Sequence, residues 1–275
     1  MNVCYVIAVS GGVDSVSLLD MMARAGRAGD SIVAHFDHGI RDDSHEDAQF
    51  VEQLAKKYDI PFYAKREELG PGAGEALARD RRYEFLRELA KKHDARIVTA
   101  HHEDDLAETI AINLHRGTGW RGLAALDSDI VRPLLHMSKS ELIGYAMRRG
   151  LEWREDSTNS NGVYLRNRLR SHIQRLPREH RKKIGDLRLR QQEVKRQIDQ
   201  EVAAIMGDGP LYSRYILTHI PKKTALECLR VITKGRLTRP QMERLLLAVK
   251  TAHPGHAYEA GSGVKLQFSS RYFTL

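Results

Sequence analysis

The sequence predicts a doubly wound α/β domain with a mostly parallel sheet, followed by a helical linker and a small α+β domain. Three observations carry that expectation. Apolar runs of strand length alternate with stretches of helical periodicity through the first half of the chain, the pattern of βαβ units. The first run, Val6-Ile7-Ala8-Val9, breaks at Ser10-Gly11-Gly12 and resumes with helical spacing, as a strand, a tight turn and a helix would. The chain, at 275 residues, is also long enough for two domains of about 100–200 residues each.

Buried parallel strands are predicted at 4–9, 31–36, 62–65 and 96–100, with a short fifth strand near 130–132. Helices are predicted at 13–24, 45–58, 75–93 and 104–116, with Ser44 as the cap of the second. Strand order reversing beside the first strand would bring the loops after strands one and four together at the carboxyl edge of the sheet. Ser138-x-x-Glu141 and Thr238-x-x-Gln241 match capping boxes and mark helix starts near Lys139 and Arg239. Between them Ile184, Leu187, Val194, Ile198, Val202 and Ile205 lie three, four or seven residues apart, which predicts one long amphipathic linker helix. After Gly207-Asp208-Gly209-Pro210 come two helical patterns, then two strand-like runs separated by Gly261-Ser262-Gly263. The expected units are thus residues 1–183, a basic linker helix at 184–206 and a small C-terminal domain at 207–275.

The formal net charge of +8 is concentrated in one segment: from Arg166 to Arg196, twelve Lys/Arg face three Asp/Glu. A charge run is often a solvated helix face, but so few acidic partners favour binding to a phosphate backbone. Cys4 and Cys228 form no Cys-x-x-Cys pair, which argues against both a disulfide framework and a thiolate metal site. No run reaches the length of a membrane span and strand character begins almost at residue 1, so a cytoplasmic protein without a targeting segment is expected.

Two adjacent glycines let backbone amides approach an anion with no Cβ in the way, and the N–H groups of a helix N-terminus form a concave positive nest. Ser10, Gly11, Gly12, Val13, Asp14 and Ser15 are therefore a candidate phosphate loop, with hydroxyl donors at both ends and an Asp14 carboxylate for Mg²⁺ or a ribose hydroxyl. Glycines at a strand-to-helix turn also have a purely steric explanation, and the loop has neither a Walker lysine nor the dinucleotide spacing. In the run 101–109, Asp104, Asp105 and Glu108 project from one side of the first helical turns. Acids there also suit the helix dipole, and the His101-His102 pair lacks the third ligand that zinc would need. His38 and Arg41, at the end of the second strand, and Arg116, at the end of the fourth helix, are candidates to face a nucleotide.

Ser10-Gly11-Gly12-Val13-Asp14-Ser15 resembles the pyrophosphate loop of the N-type ATP pyrophosphatases, which split ATP into AMP and pyrophosphate. Further matching segments are Asp37-His38-Gly39-Ile40-Arg41, Glu75-Ala76 with Arg79, Arg82 and Tyr83, and the runs 101–109 and 116–123. With Arg132-Pro133-Leu134-Leu135, Glu155-Asp156-Ser157-Thr158-Asn159 and Arg166-Asn167-Arg168-Leu169-Arg170, most of residues 5–175 resembles the tRNA(Ile)-lysidine synthetases. The tail from about Leu211 resembles the small domain that follows the catalytic one in that family, and Leu106 stands where the family more usually has Gln.

The resemblance implies a Rossmann-like PP-loop ATPase fold and ATP-dependent attachment of L-lysine to carbon 2 of the wobble cytidine in the CAU anticodon of tRNA(Ile). The product, lysidine, pairs with A, which changes decoding from AUG to AUA and charging from methionine to isoleucine. ATP would be the cosubstrate and Mg²⁺ the cofactor; neither DNA nor a membrane is an expected partner, and a homodimer is left open. Read from the residues, the amides of the Ser10–Ser15 loop would hold the β- and γ-phosphates, with His38 at the nucleotide and Arg116 at the nucleotide or a tRNA phosphate. Asp14, with Asp104 or Asp105, would hold Mg²⁺, Asp104 alternatively serving lysine. A lysine ε-amine, with an unperturbed pKa of about 10.4, needs a base, and Asp105 is the candidate. Glu108, Arg79, Arg82, Arg132, Arg166, Arg168 and Arg170 would bind lysine or tRNA. Two rivals are a tRNA thiolase, opposed by the missing cysteine pair, and a non-catalytic nucleotide- and RNA-binding module, opposed by the candidate acids.

Overall fold

A computed structural model describes residues 4–39, 44–70, 74–154, 165–207 and 209–275. Four parallel strands, β1 (Cys4–Ala8), β2 (Ser31–Asp37), β3 (Phe62–Arg66) and β4 (Ala95–Val98), form a sheet in the order β3-β2-β1-β4. Successive residues of a strand face opposite sides, so Val6 and Ile7 of β1 enter two different cores. Ile7 joins Val33, Val98, Leu18 and Leu19 on one face, and Val6 joins Ile32, Ile97, Tyr83 and Leu86 on the other. β2 is buried along its whole length because it lies inside the sheet with both faces covered.

The crossovers are α1 (Val13–Met22), α2 (Ser44–Lys57) and α3 (Glu75–His93), followed by α4 (Glu103–His115) and α5 (Lys139–Arg148). Strand order reverses beside β1, which sets the loop leaving β1 next to the loop leaving β4. The expected fifth strand is a single parallel bridge, Val98 to Val131, and Pro133, which has no N–H to give a ladder, follows at once. Ser44 is the first residue of α2 rather than its cap: its hydroxyl donates to Asp37 Oδ2 at 3.0 Å in the interior.

Helices α6 (Leu165–Arg175) and α7 (Arg178–Met206) complete this part of the chain. The molecule divides into two compact units, Met1–Gln191 and Gln192–Leu275, with the division inside α7. The second unit holds α8 (Arg214–His219), α9 (Lys222–Ile232) and α10 (Arg239–Thr251), with β5 (Tyr212–Ser213), β6 (Ala257–Gly261), β7 (Val264–Phe268) and β8 (Tyr272–Thr274). Its antiparallel order is β5-β8-β7-β6, and β7 alternates buried and exposed residues, as a sheet covered on one face requires. Three helices stand where the sequence suggests two, because Pro221 separates α8 from α9 and serves as the N-cap of α9. Among the described residues no helix is long and apolar enough to cross a membrane.

Candidate active site

The site is built where three helices begin. β1 ends at Ala8, and the chain turns through Ser10-Gly11-Gly12 into α1. Gly11 adopts φ +94°, a left-handed conformation that favours glycine. Gly12 is the N-cap and supplies no side chain, so the first amides of α1 are left for an anion rather than for a capping oxygen. The Ser15 hydroxyl, expected as a phosphate donor, is turned inward. It accepts from Ser10 N–H at 3.1 Å, donates to the Gly12 carbonyl at 2.9 Å and sits 3.2 Å from Ser10 Oγ, stapling the loop into shape. Ser10 stays exposed at the mouth of the loop.

From the other side of the strand reversal comes α4, capped by His102. His102 Nδ1 accepts from Asp104 N–H at 3.3 Å, and His102 N–H donates to Asp105 Oδ2 at 3.0 Å. An accepting Nδ1 puts the ring proton of neutral His102 on Nε2, which lies 3.4 Å from Asp105 and 3.8 Å from Asp14. His102 therefore links the phosphate loop to the acids of α4. The third helix start is α5, whose cap Ser138 exchanges hydrogen bonds with Glu141. Lys139 N–H donates to Asp104 Oδ2 at 3.1 Å, and Lys139 Nζ reaches both oxygens of Asp14, at 2.8 and 2.7 Å. Three converging N-termini carry positive potential to one place, an arrangement suited to a polyanion.

Asp104 does not fit the metal-ligand role. It is 6 % exposed; Oδ2 is held by the Lys139 amide, and Oδ1 lies 3.2 Å from Arg181 Nε, which also lies 3.5 Å from Glu103. These are ion-pair distances without hydrogen-bond alignment, while another Arg181 nitrogen donates to the Leu176 carbonyl at 3.0 Å. Both oxygens of Asp104 thus face cationic or N–H donors of the protein itself. Among the described residues no group of three or more His, Cys, Asp or Glu is arranged to hold a metal. Mg²⁺ at a nucleotide commonly uses only one or two carboxylates with phosphates and water, and for that Asp14 is suited, which leaves Asp105 to take a proton.

The other expected residues fall into separate places. Glu108 and Arg170 pair with each other: Arg170 Nε donates to Glu108 Oε1 at 2.8 Å, with Glu108 3 % and Arg170 32 % exposed. Arg132 spends one terminal nitrogen on the carbonyls of Leu126 and Ile130 and the hydroxyl of Ser128, at 3.0–3.1 Å, so it braces a turn instead of standing open to phosphate. Arg79 and Arg82 lie over the Tyr83 ring at 5.1 and 5.6 Å. Burial pushes His101 down to about 4; Asp105 opposes the shift, and Arg132, Arg79 and Arg82 reinforce it. Burial, then Arg82, likewise lowers the pKa of His38, whose ring packs on Phe36. Arg116 is exposed at the far end of α4, ~18 Å along the helix from Asp104, and so is not brought to the phosphate loop. Arg41 and the run 155–159 lie outside the described residues, as do the side chains of Arg166 and Arg168 in α6.

Lys139, His102 and Arg181 are the site residues that reading the sequence missed. The Ser138-x-x-Glu141 box located the helix that carries Lys139, but only the packing of α5 against α1 brings it to Asp14.

Residues 2–176 match the family model described as a PP-loop domain. Among curated proteins, a tRNA(Ile)-lysidine synthase from Thermus thermophilus is 35 % identical over 94 % of this chain and 54 % of its own length. One from Geobacter sulfurreducens is 40 % identical over 61 % of this chain and 39 % of its own. The chain spans about half the length of the curated relatives it matches. Among solved structures, the U34-tRNA thiolase NcsA from Methanococcus maripaludis, with its [4Fe-4S] cluster, aligns over 70 % of this chain and 72 % of its own with a TM-score of 0.57. At 14 % identity that likeness concerns the fold alone. With the matched segment spanning the sheet, the phosphate loop and the acids of α4, the chain belongs to the PP-loop domain family.

Proposed function

We propose that this chain joins L-lysine to carbon 2 of the wobble cytidine in the CAU anticodon of tRNA(Ile), using ATP and releasing AMP and pyrophosphate. The observation that carries the reading is the convergence of the Ser10–Ser15 loop with the Asp105-bearing start of α4, in a chain whose curated relatives are lysidine synthases. The amides at the start of α1 hold the β- and γ-phosphates, whose negative charge increases as pyrophosphate leaves. Mg²⁺, when bound, neutralises charge across the phosphates, and Asp14 is the residue suited to hold it.

Cytidine O2 attacks the α-phosphate and pyrophosphate departs, leaving an adenylated base. The ε-amine of lysine then attacks carbon 2, the C2–O bond breaks and AMP departs. The ammonium must first lose a proton, and Asp105, held by the His102 amide and beside the His102 ring, is the acceptor. Exposed Lys182, Lys183 and Arg190 of α7 offer the anticodon stem phosphate contacts that weaken with added salt. Sulfur delivery has little support, since Cys4 lies in β1 and Cys228 is buried in the core of the second unit.

The test is incubation with Mg·ATP, radiolabelled lysine and each CAU-anticodon tRNA, followed by digestion to nucleosides. Label in a nucleoside of the isoleucine tRNA alone is expected. Pyrophosphate release without label would overturn lysine as the nucleophile, and neither product would overturn the proposal as a whole.

A further inference from the structure

Trp120 stands apart from the cores of the protein. Of the two tryptophans, Trp153 packs against the main apolar cluster, whereas half-buried Trp120 joins none of the four clusters among the described residues. The Arg121 guanidinium lies over its ring, 4.7 Å from the centroid. A cation–π contact at the surface is a small gain, so stability is a thin reason for keeping an indole there. The loop that carries the pair is built to a fixed shape. Thr118 donates from both its N–H and its hydroxyl to the Asn113 carbonyl, at 3.1 and 3.0 Å, and Asn113 Nδ2 donates to the Gly122 carbonyl at 3.0 Å. Gly119 adopts φ +69° and ψ −161°, a conformation almost confined to glycine. A Cβ on Gly122 would meet Thr118 Oγ1 at 1.9 Å. Trp120 and Arg121 are thus held on a preformed loop anchored at Asn113, which lies ~12 Å along α4 from Asp105.

The charges around the pair say what it is for. Between Glu108 and Asp127 the chain carries no acidic residue, but it carries Arg121 and the exposed His115 and Arg116. An aromatic plane layered with a guanidinium, among cations and without carboxylates, suits an unpaired nucleobase and its phosphate. Every base has a π-face to stack, and RNA exposes that face in loops rather than in helices. Stacked nucleotides advance ~3.4 Å each, so ~12 Å spans about three or four of them from the one that reacts at Asp105. We infer that Trp120 and Arg121 form a stacking platform for an unpaired base of the tRNA anticodon loop, with Arg116 at a neighbouring phosphate. The inference rests on the tRNA reading above and adds to it a contact remote from both the nucleotide and the lysine.

The experiment uses the full chain. Trp153→Phe leaves Trp120 as the sole tryptophan, and its emission is followed while an RNA stem-loop bearing the CAU anticodon is added. Stacking on a base is expected to quench it, and this readout keeps Trp120 in place, so it does not depend on a Trp120 variant folding. Anisotropy of the labelled stem-loop then compares Trp120→Ala, Trp120→Leu and Trp120→Phe with wild type. The alanine and leucine variants are expected to weaken binding roughly 5- to 100-fold. The phenylalanine variant should recover most of it, and Mg·ATP affinity should be unchanged in all three. Trp120→Ala should leave the slope of log affinity against log salt as it is, whereas Arg116→Ala should flatten it by about 0.7. Unquenched emission at saturating RNA, or Trp120→Leu that binds as tightly as wild type, would overturn the inference and leave Trp120 an apolar residue of its loop. A dimer that Trp120→Ala dissociates, with RNA affinity intact, would overturn it in favour of a contact between copies. Wild-type protein that does not bind the stem-loop would overturn the tRNA reading and this inference together.

Discussion

Asp104→Asn separates a structural carboxylate from a metal ligand. The side chain accepts the Lys139 amide at 3.1 Å and lies 3.2 Å from Arg181, and it is buried between them. Asparagine keeps the shape, but its amide nitrogen must face one of those two donors. A hydrogen bond to a charged group contributes about 1.5–3 kcal/mol. Glu103 remains 3.5 Å from Arg181, so the loss stays below the ~3–5 kcal/mol of a fully orphaned buried charge. A destabilisation of about 2–3 kcal/mol follows, which for a unit of this size lowers Tm by roughly 4–12 °C. Thermal unfolding followed by circular dichroism measures that shift, and calorimetric titration with Mg·ATP well below Tm measures binding, expected to stay within about threefold of wild type. An unchanged Tm together with an affinity loss of about tenfold or more would refute the argument and return Asp104 to the metal.

Asp105→Asn should lower lysine transfer by about 10²–10⁴ with ATP, lysine and tRNA saturating, while Mg·ATP affinity stays near wild type; near-native turnover would show that another group takes the proton. Glu108→Gln should cost about 2 kcal/mol, less than a fully buried pair because Arg170 is 32 % exposed. A double-mutant cycle with Arg170→Met that gives coupling under about 0.5 kcal/mol would mean the pair is not maintained in solution. His101, pushed down to about 4 by burial against 6.5 for the free side chain, gives a pH dependence of defined sign. Between those values the unfolded chain binds the proton that the folded one refuses, so stability falls as pH drops from 6.5 towards 4, by up to about 3 kcal/mol below that window. Denaturant melts of wild type and His101→Asn across this range should differ in slope, and superimposable curves would count against the assignment.

Much of the first unit was legible in the sequence because its elements rest on local rules. Strands β1 to β4 come from apolar runs, α4 and α5 begin where caps and first-turn acids place them, and the glycines mark the turn at which φ becomes positive. Residues whose role depends on a distant partner were less legible. Arg132 reads as a phosphate ligand until the turn from Leu126 to Ile130 is seen folded around it. Glu108 and Arg170 read as two ligands and instead meet each other.

The sequence by itself determined the parallel sheet, the phosphate loop, the acids of α4 and the basic segment, since periodicity, glycine conformation and helix capping act within a few residues. Tertiary structure alone decided which charges meet: Lys139 on Asp14, Arg181 on Asp104, and His102 between Asp14 and Asp105. The reason is physical. Coulomb interactions and hydrogen bonds depend on distances of a few ångströms, and those between helices α1, α4, α5 and α7 are set by packing across the strand reversal.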